Sequence, residues 1–379
     1  MRIAVLSEAD PVETRVAITP DMVKKYKALG ADVVVQAGAG GQASIADAEF
    51  EAAGATIAQT AQDAVKDADI ILKVRRPADG ELNGIKKGAL LIGIMDPYGH
   101  EDALKELAEE AGASAFAMEL MPRITRAQVM DVLSSQANLA GYRAMVDAAE
   151  EYGKAVPMMM TAAGTVPAAR VFVMGAGVAG LQAIATARRM GGIVTATDVR
   201  PAAKEQVESL GAKFIAVEDE EFKQAETAGG YAKEMSKDYQ AKQAELVASH
   251  IAKQDIVITT ALIPGRPAPK LISRAMVESM KPGSVIVDLA VERGGNCEGA
   301  KPGEVAEHNG VKIVGHLNVP GRLPASASSL YARNLYAFVE TLVDKATKQL
   351  AVKWDDELVK ATCLTRDGAV VHTAFQPKA

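Results

Sequence analysis

The sequence predicts an α/β protein with two Rossmann-like domains, each a doubly wound parallel sheet, joined by two long helices with a cleft between the domains. Short apolar runs alternate with helix-length segments in both halves of the chain, which is the pattern of βαβ units. Aromatic residues make up only 4% of the 379 residues, and Ala, Gly and Val abound, as expected of closely packed helix-on-sheet layers. Two long helix-compatible stretches, residues 127–152 and 326–348, flank the second set of strands.

The first domain is predicted from five apolar runs near the amino terminus. Thr19 and Pro20 mark the start of a helix after the first run, and Gly30 lies just past its end. Strands separated by helices of this length favour a mainly parallel sheet. The predicted strands are residues 3–6, 33–35, 70–74, 89–95 and 114–118.

The second domain is predicted from a further series of strands. Ahead of it, residues 156–169 hold Pro157, three consecutive methionines, Gly164 and Pro167, a composition that indicates a hairpin or an extended arm. A helix is predicted at residues 178–190. The predicted strands are residues 170–174, 193–197, 255–259, 284–289 and 311–314.

The carboxyl-terminal part departs from the α/β alternation. After the helix predicted at 326–348, the runs 358–364 and 369–372 flank Arg366-Asp367-Gly368, a turn signal typical of a hairpin. The chain is predicted to leave the first domain by one long helix and to return by the other. The first domain is therefore expected to be discontinuous, residues 1–125 plus 325–379, with residues 126–324 as the inserted domain.

Charge and composition exclude several classes of protein. The chain has 42 Lys and Arg against 48 Asp and Glu, a formal net charge of −6, and its basic residues are interspersed with acids. Neither a nucleic-acid-binding surface nor a basic patch for anionic membranes is expected. The charge-free stretch between Arg170 and Arg188 contains three glycines and is too short to span a membrane. Cys297 and Cys363 have neither disulfide nor metal-ligand spacing, so no metal site is predicted.

A glycine-rich turn is the clearest chemical motif. Gly175, Gly177 and Gly180 form a Gly-x-Gly-x-x-Gly pattern between a predicted strand and a predicted helix, the arrangement that binds a dinucleotide pyrophosphate; a purely structural turn is the alternative. Asp198 ends the next strand, where an acid binds the ribose hydroxyls. The inserted domain is therefore predicted to bind NAD(H) rather than NADP(H). Arg200 is either a partner for a 2′-phosphate or an exposed residue at a helix start.

Across almost its whole length the chain resembles the alanine dehydrogenase and nicotinamide nucleotide transhydrogenase family. Residues 118–143 (MELMPRITRAQVMDVLSSQANLAGYR) resemble the signature of the NAD(H)-binding component of proton-translocating transhydrogenases. The other shared segments are Arg15-Val16-Ala17-Ile18-Thr19-Pro20, Gln36-Ala37-Gly38-Ala39-Gly40, Leu72-Lys73-Val74, the glycine turn and Lys281-Pro282-Gly283-Ser284-Val285-Ile286-Val287-Asp288.

The resemblance implies an activity that requires other polypeptides. It implies an NAD(H)-binding subunit of a Re/Si-specific transhydrogenase, which passes hydride from NADH to NADP⁺ held on a partner component. A membrane-embedded subunit would translocate protons. The resemblance also implies a homodimer, located at the cytoplasmic face of a bacterial membrane through its partners and not inserted in the membrane itself. The Met-rich arm at 156–169 is a plausible dimer contact, or its methionines fill an internal gap.

The resemblance also implies the site residues. Arg123, Gln128, Asp131 and Ser134 would be the catalytic residues, which contact the nicotinamide and its ribose. On one helix, Gln128, Asp131 and Ser135 would form a polar stripe, which is either such a contact surface or an ordinary solvated face. Residues 227–235 would be a mobile loop that closes over the nucleotide. The other implied nucleotide contacts are Ile124, Thr125, Arg126, Val178, Ala179, Val199, Arg200, Gly230, Tyr231, Gln243 and Leu262.

Two other functions remain open at this point. An amino-acid dehydrogenase needs a positioned acid or base, and alanine dehydrogenases have a His and an Asp in segments matched here by residues 92–96 and 290–295. This chain has no His in the first segment and Glu292 in the second. Arg15 and Lys73 resemble that family's substrate-binding pair or form structural ion pairs. Hydride exchange between two nicotinamides needs only close approach and exclusion of water. A non-catalytic NAD-sensing module is the second alternative.

Overall fold

The computed structural model describes residues 1–109, 111–224, 235–263 and 265–376. It divides into two compact units, one formed by Met1–Gln136 with Pro320–Ala379 and the other by Ala137–Val319. The first unit is thus discontinuous in sequence. The predicted boundaries after residues 125 and 324 stay predictions.

The first unit contains a six-stranded sheet in the order β3-β2-β1-β4-β5-β6, and every neighbouring pair is parallel. This is the strand order of a doubly wound nucleotide-binding sheet. Strand β3 was not predicted, because it is only three residues long and just one of them is buried. The strands are β1 Arg2–Val5, β2 Asp32–Gln36, β3 Thr56–Ala58, β4 Ile70–Arg75, β5 Leu90–Ile94 and β6 Ser114–Ala117; the helices are α1 Pro20–Ala28, α2 Asp47–Ala52, α3 Ala61–Val65 and α4 Glu101–Glu109.

The second unit has a seven-stranded sheet in the order β11-β10-β9-β12-β13-β15-β14. All neighbours are parallel except β14 and β15. A separate antiparallel hairpin of β7 and β8 confirms the predicted hairpin at 156–169. The elements are α5 Val132–Glu151, β7 Met159–Thr161, β8 Gly164–Val166, β9 Arg170–Met174, α6 Val178–Arg189, β10 Ile193–Thr197, α7 Ala202–Ser209, β11 Lys213–Phe214, α8 Glu220–Lys223, α9 Lys237–Ile251, β12 Ile256–Thr259, α10 Arg274–Ser279, β13 Val285–Asp288, β14 Val305–His308 and β15 Val311–Val314.

The carboxyl-terminal residues return to the first unit and correct two predictions. The helix predicted to reach residue 348 ends at Thr341, because Asp344 accepts the backbone N–H groups of Ala346 and Thr347 and closes a hairpin instead. The run at 358–364 is mostly helical and begins after Asp356, whose carboxylate accepts the N–H of Leu358. The elements are α11 Pro324–Thr341, β16 Val343–Asp344, β17 Gln349–Leu350, α12 Glu357–Thr362, β18 Thr365–Arg366 and β19 Ala369–Val370. The β18–β19 pair confirms the predicted hairpin.

Both sheets bury apolar side chains on their two faces. Ile3 and Val5 belong to one cluster of the first unit, whereas Ala4 and Leu6 belong to the other. In the second unit Val171 and Val173 likewise face one cluster and Phe172 faces the opposite one. Successive strand residues point to opposite faces, so burial of both sets requires helices on each side of the sheet. The predicted α/β class with doubly wound parallel sheets is confirmed.

Candidate dinucleotide site and buried charge cluster

The three glycines of the turn have different structural requirements. Gly175 has φ +103°, and a Cβ there would lie 2.5 Å from Thr260 Oγ1. A Cβ on Gly180 would lie 1.8 Å from the carbonyl oxygen of Gly175, so no larger residue fits either position. Gly177 is the N-cap residue of α6, and a Cβ there would meet no heavy atom within 4 Å. The packing of the protein does not require a glycine at 177, and the space beside it fits a phosphate group at the helix N-terminus.

Asp198 lies at the end of β10 and is bound to the same turn. Its Oδ2 accepts the N–H of Ala176 at 2.8 Å. The backbone and guanidinium of Arg200 donate to both carboxylate oxygens at 2.9 Å. These four hydrogen bonds use about all the acceptor positions of a carboxylate. Arg200 is therefore an ion-pair partner of Asp198 in this structure, and ribose hydroxyls would have to replace part of that pair.

Three predicted contacts of the second unit are exposed apolar side chains at one edge of the sheet. Val178, Val199 and Leu262 are 39%, 47% and 53% exposed, and they follow β9, β10 and β12, which are adjacent parallel strands. The carboxyl edge of such a sheet at its switch point is where dinucleotides bind. Gln243 is polar and tethered, since it accepts the N–H of Val217 and donates to Thr197 Oγ1.

The remaining predicted contacts of this unit differ in how they can be placed. Gly230 and Tyr231, with the rest of the predicted loop up to residue 234, lie outside the described residues. Ala179 packs closely against α5, because a Cβ on Gly141 would lie 2.0 Å from the Ala179 carbonyl oxygen.

Two residues that shape this edge were missed by the sequence analysis. Asn296 is fully buried and makes three hydrogen bonds, accepting the N–H of Ala261 and donating to the carbonyls of Ala261 and Pro269. Thr260 donates to the carbonyl of Gly175 at 3.0 Å. Neither residue belongs to a motif with recognisable spacing, so only the tertiary contacts reveal them.

In the first unit, Asp131 and Ser134 form a helix cap. Asp131 accepts the backbone N–H of Ser134 at 2.8 Å and its hydroxyl at 2.5 Å, just before α5 begins at Val132. Residues Thr125–Met130 form a separate 3₁₀ helix. The predicted single helix carrying Gln128, Asp131 and Ser135 is therefore wrong, because the Asp131 side chain caps a new helix and interrupts the old one.

The other predicted residues of this segment lie on the 3₁₀ helix or just before it. Arg123, Thr125 and Gln128 are exposed, and Ile124 is half-buried. Arg126 binds two carboxylates, with its guanidinium donating to Asp356 at 2.9 and 3.0 Å and to Glu357 at 2.9 and 3.2 Å. Contacts of all these side chains with a nucleotide stay predictions.

Arg15 and Lys73 are both buried in the first unit and paired with carboxylates. Arg15 is 3% exposed and donates to both oxygens of Glu13 at 2.7 Å and to Gln136 at 2.8 Å. Lys73 is 1% exposed and lies 2.9 Å from Glu81 and 3.6 Å from Glu8. Structural ion pairing, the alternative left open by the sequence, is what the structure shows for both cations.

A pocket of about 760 Å³ lies at the same edge of the first sheet and is lined in part by Arg75 and Arg76. Arg75 Nε donates to Glu13 at 2.8 Å. Arg76 donates to the backbone carbonyls of Met95 and Asp96. The cations around this pocket are thus already engaged by groups of the protein.

The carboxyl groups of the cluster titrate over a wide range. Burial alone would raise the pKa of Glu13, but hydrogen bonds and charge from Arg15, with Arg75, lower it to about 2. Burial raises the pKa of Glu8 to about 7 despite the charge of Lys73. Burial likewise raises the pKa of Glu119 to about 7, although Glu119 accepts the N–H groups of Met95 and Asp96.

Glu119→Gln is expected to flatten the pH dependence of stability. The folded chain holds this proton up to about pH 7, whereas the unfolded chain releases it near pH 4.5, so the free energy of unfolding falls as pH rises through this window, by up to about 3 kcal/mol. Urea denaturation at pH 5.5 and pH 8 measures the difference. The variant should lose much of it and Glu8 should retain a part, while the exposed Glu205→Gln serves as control. An unchanged slope in Glu119→Gln would contradict the assignment.

Comparison with known proteins places this fold and site in a class. Residues 4–140 match the alanine dehydrogenase/PNT N-terminal domain, and residues 144–373 match the alanine dehydrogenase/PNT C-terminal domain. The chain therefore belongs to the alanine dehydrogenase/PNT family, whose members are NAD(H)-binding oxidoreductases.

Within that family the chain is a transhydrogenase alpha subunit by similarity. It is 58% identical to an NAD(P) transhydrogenase alpha subunit of Rhodospirillum rubrum, over 99% of both chains. A solved transhydrogenase structure from Sinorhizobium meliloti superposes with a TM-score of 0.89 at 65% identity, covering 98% of this chain and 100% of the other. Alanine dehydrogenase of Halomonas elongata is 30% identical over 99% of this chain and 95% of its own.

Proposed function

We propose that the chain is the NAD(H)-binding subunit of a proton-translocating, Re/Si-specific NAD(P) transhydrogenase. It passes hydride from NADH to NADP⁺ on a partner component and is active only with its partner subunits, one of which is embedded in the membrane and translocates protons. The observation that carries the proposal is the neutralisation of Arg15 and Lys73 by buried carboxylates, taken together with the similarity to transhydrogenase subunits.

An amino-acid dehydrogenase needs a free cation for the substrate carboxylate and a positioned acid or base. Here a keto acid would compete with Glu13 for Arg15 and with Glu81 for Lys73 in a buried setting. His100 is the histidine nearest in sequence to the matched strand end. It lies 3.6 Å from Asp96, but both side chains face solvent, with 43% and 35% exposure. This arrangement supports hydride exchange, which takes up no proton in the chemical step.

The residues of the glycine turn fit a bound dinucleotide. Gly177 leaves the N-terminus of α6 open to the pyrophosphate, and Asp198 accepts the ribose hydroxyls once Arg200 releases part of its pair. When bound, NADH supplies the hydride. Arg123, Gln128, Asp131 and Ser134 orient the nicotinamide and its ribose, and Ser134, already donating to Asp131, offers its hydroxyl oxygen as an acceptor.

The exposed methionines of the hairpin support self-association. Met158, Met159 and Met160 are 61%, 43% and 80% exposed, and flexible thioether side chains suit an interface. We include a homodimer through this hairpin in the proposal, with the subunit held at the cytoplasmic face of the membrane by its partners. In the described ranges, no helix is long and apolar enough to cross a membrane. No group of three or more potential metal-binding side chains occurs in those ranges either.

Hydride transfer in a reconstituted system tests the proposal. The purified chain is mixed with NADH, the NADP(H)-binding partner and an NADP analogue whose reduction has its own absorbance. Transfer should require both proteins, and the chain alone should not oxidise NADH with pyruvate and ammonia. Turnover without the partner would favour the dehydrogenase. NADH binding without any transfer would favour the sensing module.

A further inference from the structure

A second concave site lies in the second unit, at the edge of the sheet opposite the glycine turn. Arg170, Ile193 and Lys213 are the first residues of the parallel strands β9, β10 and β11, whereas Gly175 follows the last residue of β9. Together with Lys253 and His250 they line a pocket of about 330 Å³. This size suits a small ligand or one chemical group of a larger ligand.

The pocket concentrates positive charge that the protein does not neutralise. Among the residues that the structure describes, Arg170, Lys213 and Lys253 form no ion pair. The nearby carboxylate of Asp255 accepts the backbone N–H of Arg170 at 2.8 Å. In this respect the three cations differ from Arg15 and Lys73, which have carboxylate partners.

The centre of the pocket is held rigidly. The ring of His250 packs edge-on against Phe172 at 4.8 Å, and its Nε2 lies 2.8 Å from Thr195 Oγ1 and 3.2 Å from Gln254 Nε2. Gln254 is only 3% exposed. Burial, and then the charges of Lys253, Lys213 and Arg170, lower the pKa of His250. The charged groups that act on this imidazole are therefore all cations.

We propose that this pocket binds a ligand through a phosphate group, with an apolar substituent lying along Ile193 and Ile215. An arginine and two lysines on three different elements match the several oxygens and the charge of a phosphate. Ile193 is 56% exposed and forms an apolar wall beside these cations. A soluble phosphate ester and a phospholipid headgroup share this chemistry.

Calorimetric titration of the full chain tests the site, with saturating NADH to occupy the glycine turn and with ionic strength held constant by sodium chloride. Phenyl phosphate should bind saturably and more tightly than inorganic phosphate. Lys213→Gln and Lys253→Gln should each weaken binding by about three- to tenfold. The exposed Lys281→Gln, in the same unit but outside the pocket, should leave it unchanged. Ile193→Ser should weaken phenyl phosphate but not inorganic phosphate.

A second readout follows the imidazole. In chain labelled with ¹³C-histidine, bound phosphate should raise the NMR-measured pKa of His250, whereas chloride at equal ionic strength should not. Sedimentation with phosphatidylglycerol vesicles, compared with phosphatidylcholine vesicles, then identifies the source of the phosphate. Saturable binding of either source that depends on Lys213 and Lys253 supports the site. Absence of both, or equal weakening by Lys281→Gln, would overturn it. NADH binding is measured separately, so this outcome is independent of the proposed transhydrogenase function.

Discussion

Gly177→Ala is expected to weaken NADH binding by about 10- to 100-fold, the loss of one or two hydrogen bonds to a charged phosphate, without destabilising the unliganded chain. Gly177 has φ −75°, which alanine adopts without strain, and the added methyl would meet no protein atom within 4 Å. The methyl would instead occupy the space through which the backbone approaches the pyrophosphate. Calorimetric titration with NADH and urea denaturation without ligand measure the two quantities separately.

Two further glycines supply the controls for this prediction. Gly180→Ala should lower both stability and affinity, since its Cβ would lie 1.8 Å from the Gly175 carbonyl oxygen and the backbone would have to move. Gly153→Ala should change neither, because the position is exposed and a Cβ there meets nothing within 4 Å. If Gly177→Ala bound NADH as tightly as the unaltered chain, the assigned role of the turn would be wrong.

Arg15→Ala is expected to lower the free energy of unfolding by about 3–5 kcal/mol. The substitution leaves the carboxylate of Glu13, which is fully buried, with Arg75 as its remaining cation, and it leaves Gln136 without the donor to its amide oxygen. An uncompensated buried charge costs far more than a lost surface pair. Urea denaturation at pH 7 measures the change.

Two comparisons separate the charge effect from simple truncation. Lys345→Ala removes an exposed cation of the same unit that pairs with Glu340, and it should leave stability almost unchanged. The double variant Glu13→Gln with Arg15→Met removes the pair together and should be less destabilised than Arg15→Ala alone. Equal losses in the single and double variants would show that the ion pair is not the source of the effect.

The elements that were predicted correctly are those specified by local chemistry. The strand before Gly175 and the helix after it match their predicted positions closely, because a buried apolar run, a glycine turn and a helix start lie within a few consecutive residues. The elements that were missed or misplaced lack such a local signal. Strand β3 is short and partly exposed, and α11 ends early because of hydrogen bonds to Asp344 that follow no fixed spacing.

The sequence by itself determined the α/β class, the glycine turn with Asp198 as its acidic partner, and the family resemblance. Only the tertiary structure decided the state of the charged groups. It placed Glu13 on Arg15, Glu81 on Lys73 and Arg200 on Asp198. The two buried cations could not be assigned from sequence, because a cation that binds a substrate and one that binds a carboxylate of its own protein have the same side chain. The distinction depends on which distant segments the fold brings within hydrogen-bonding distance.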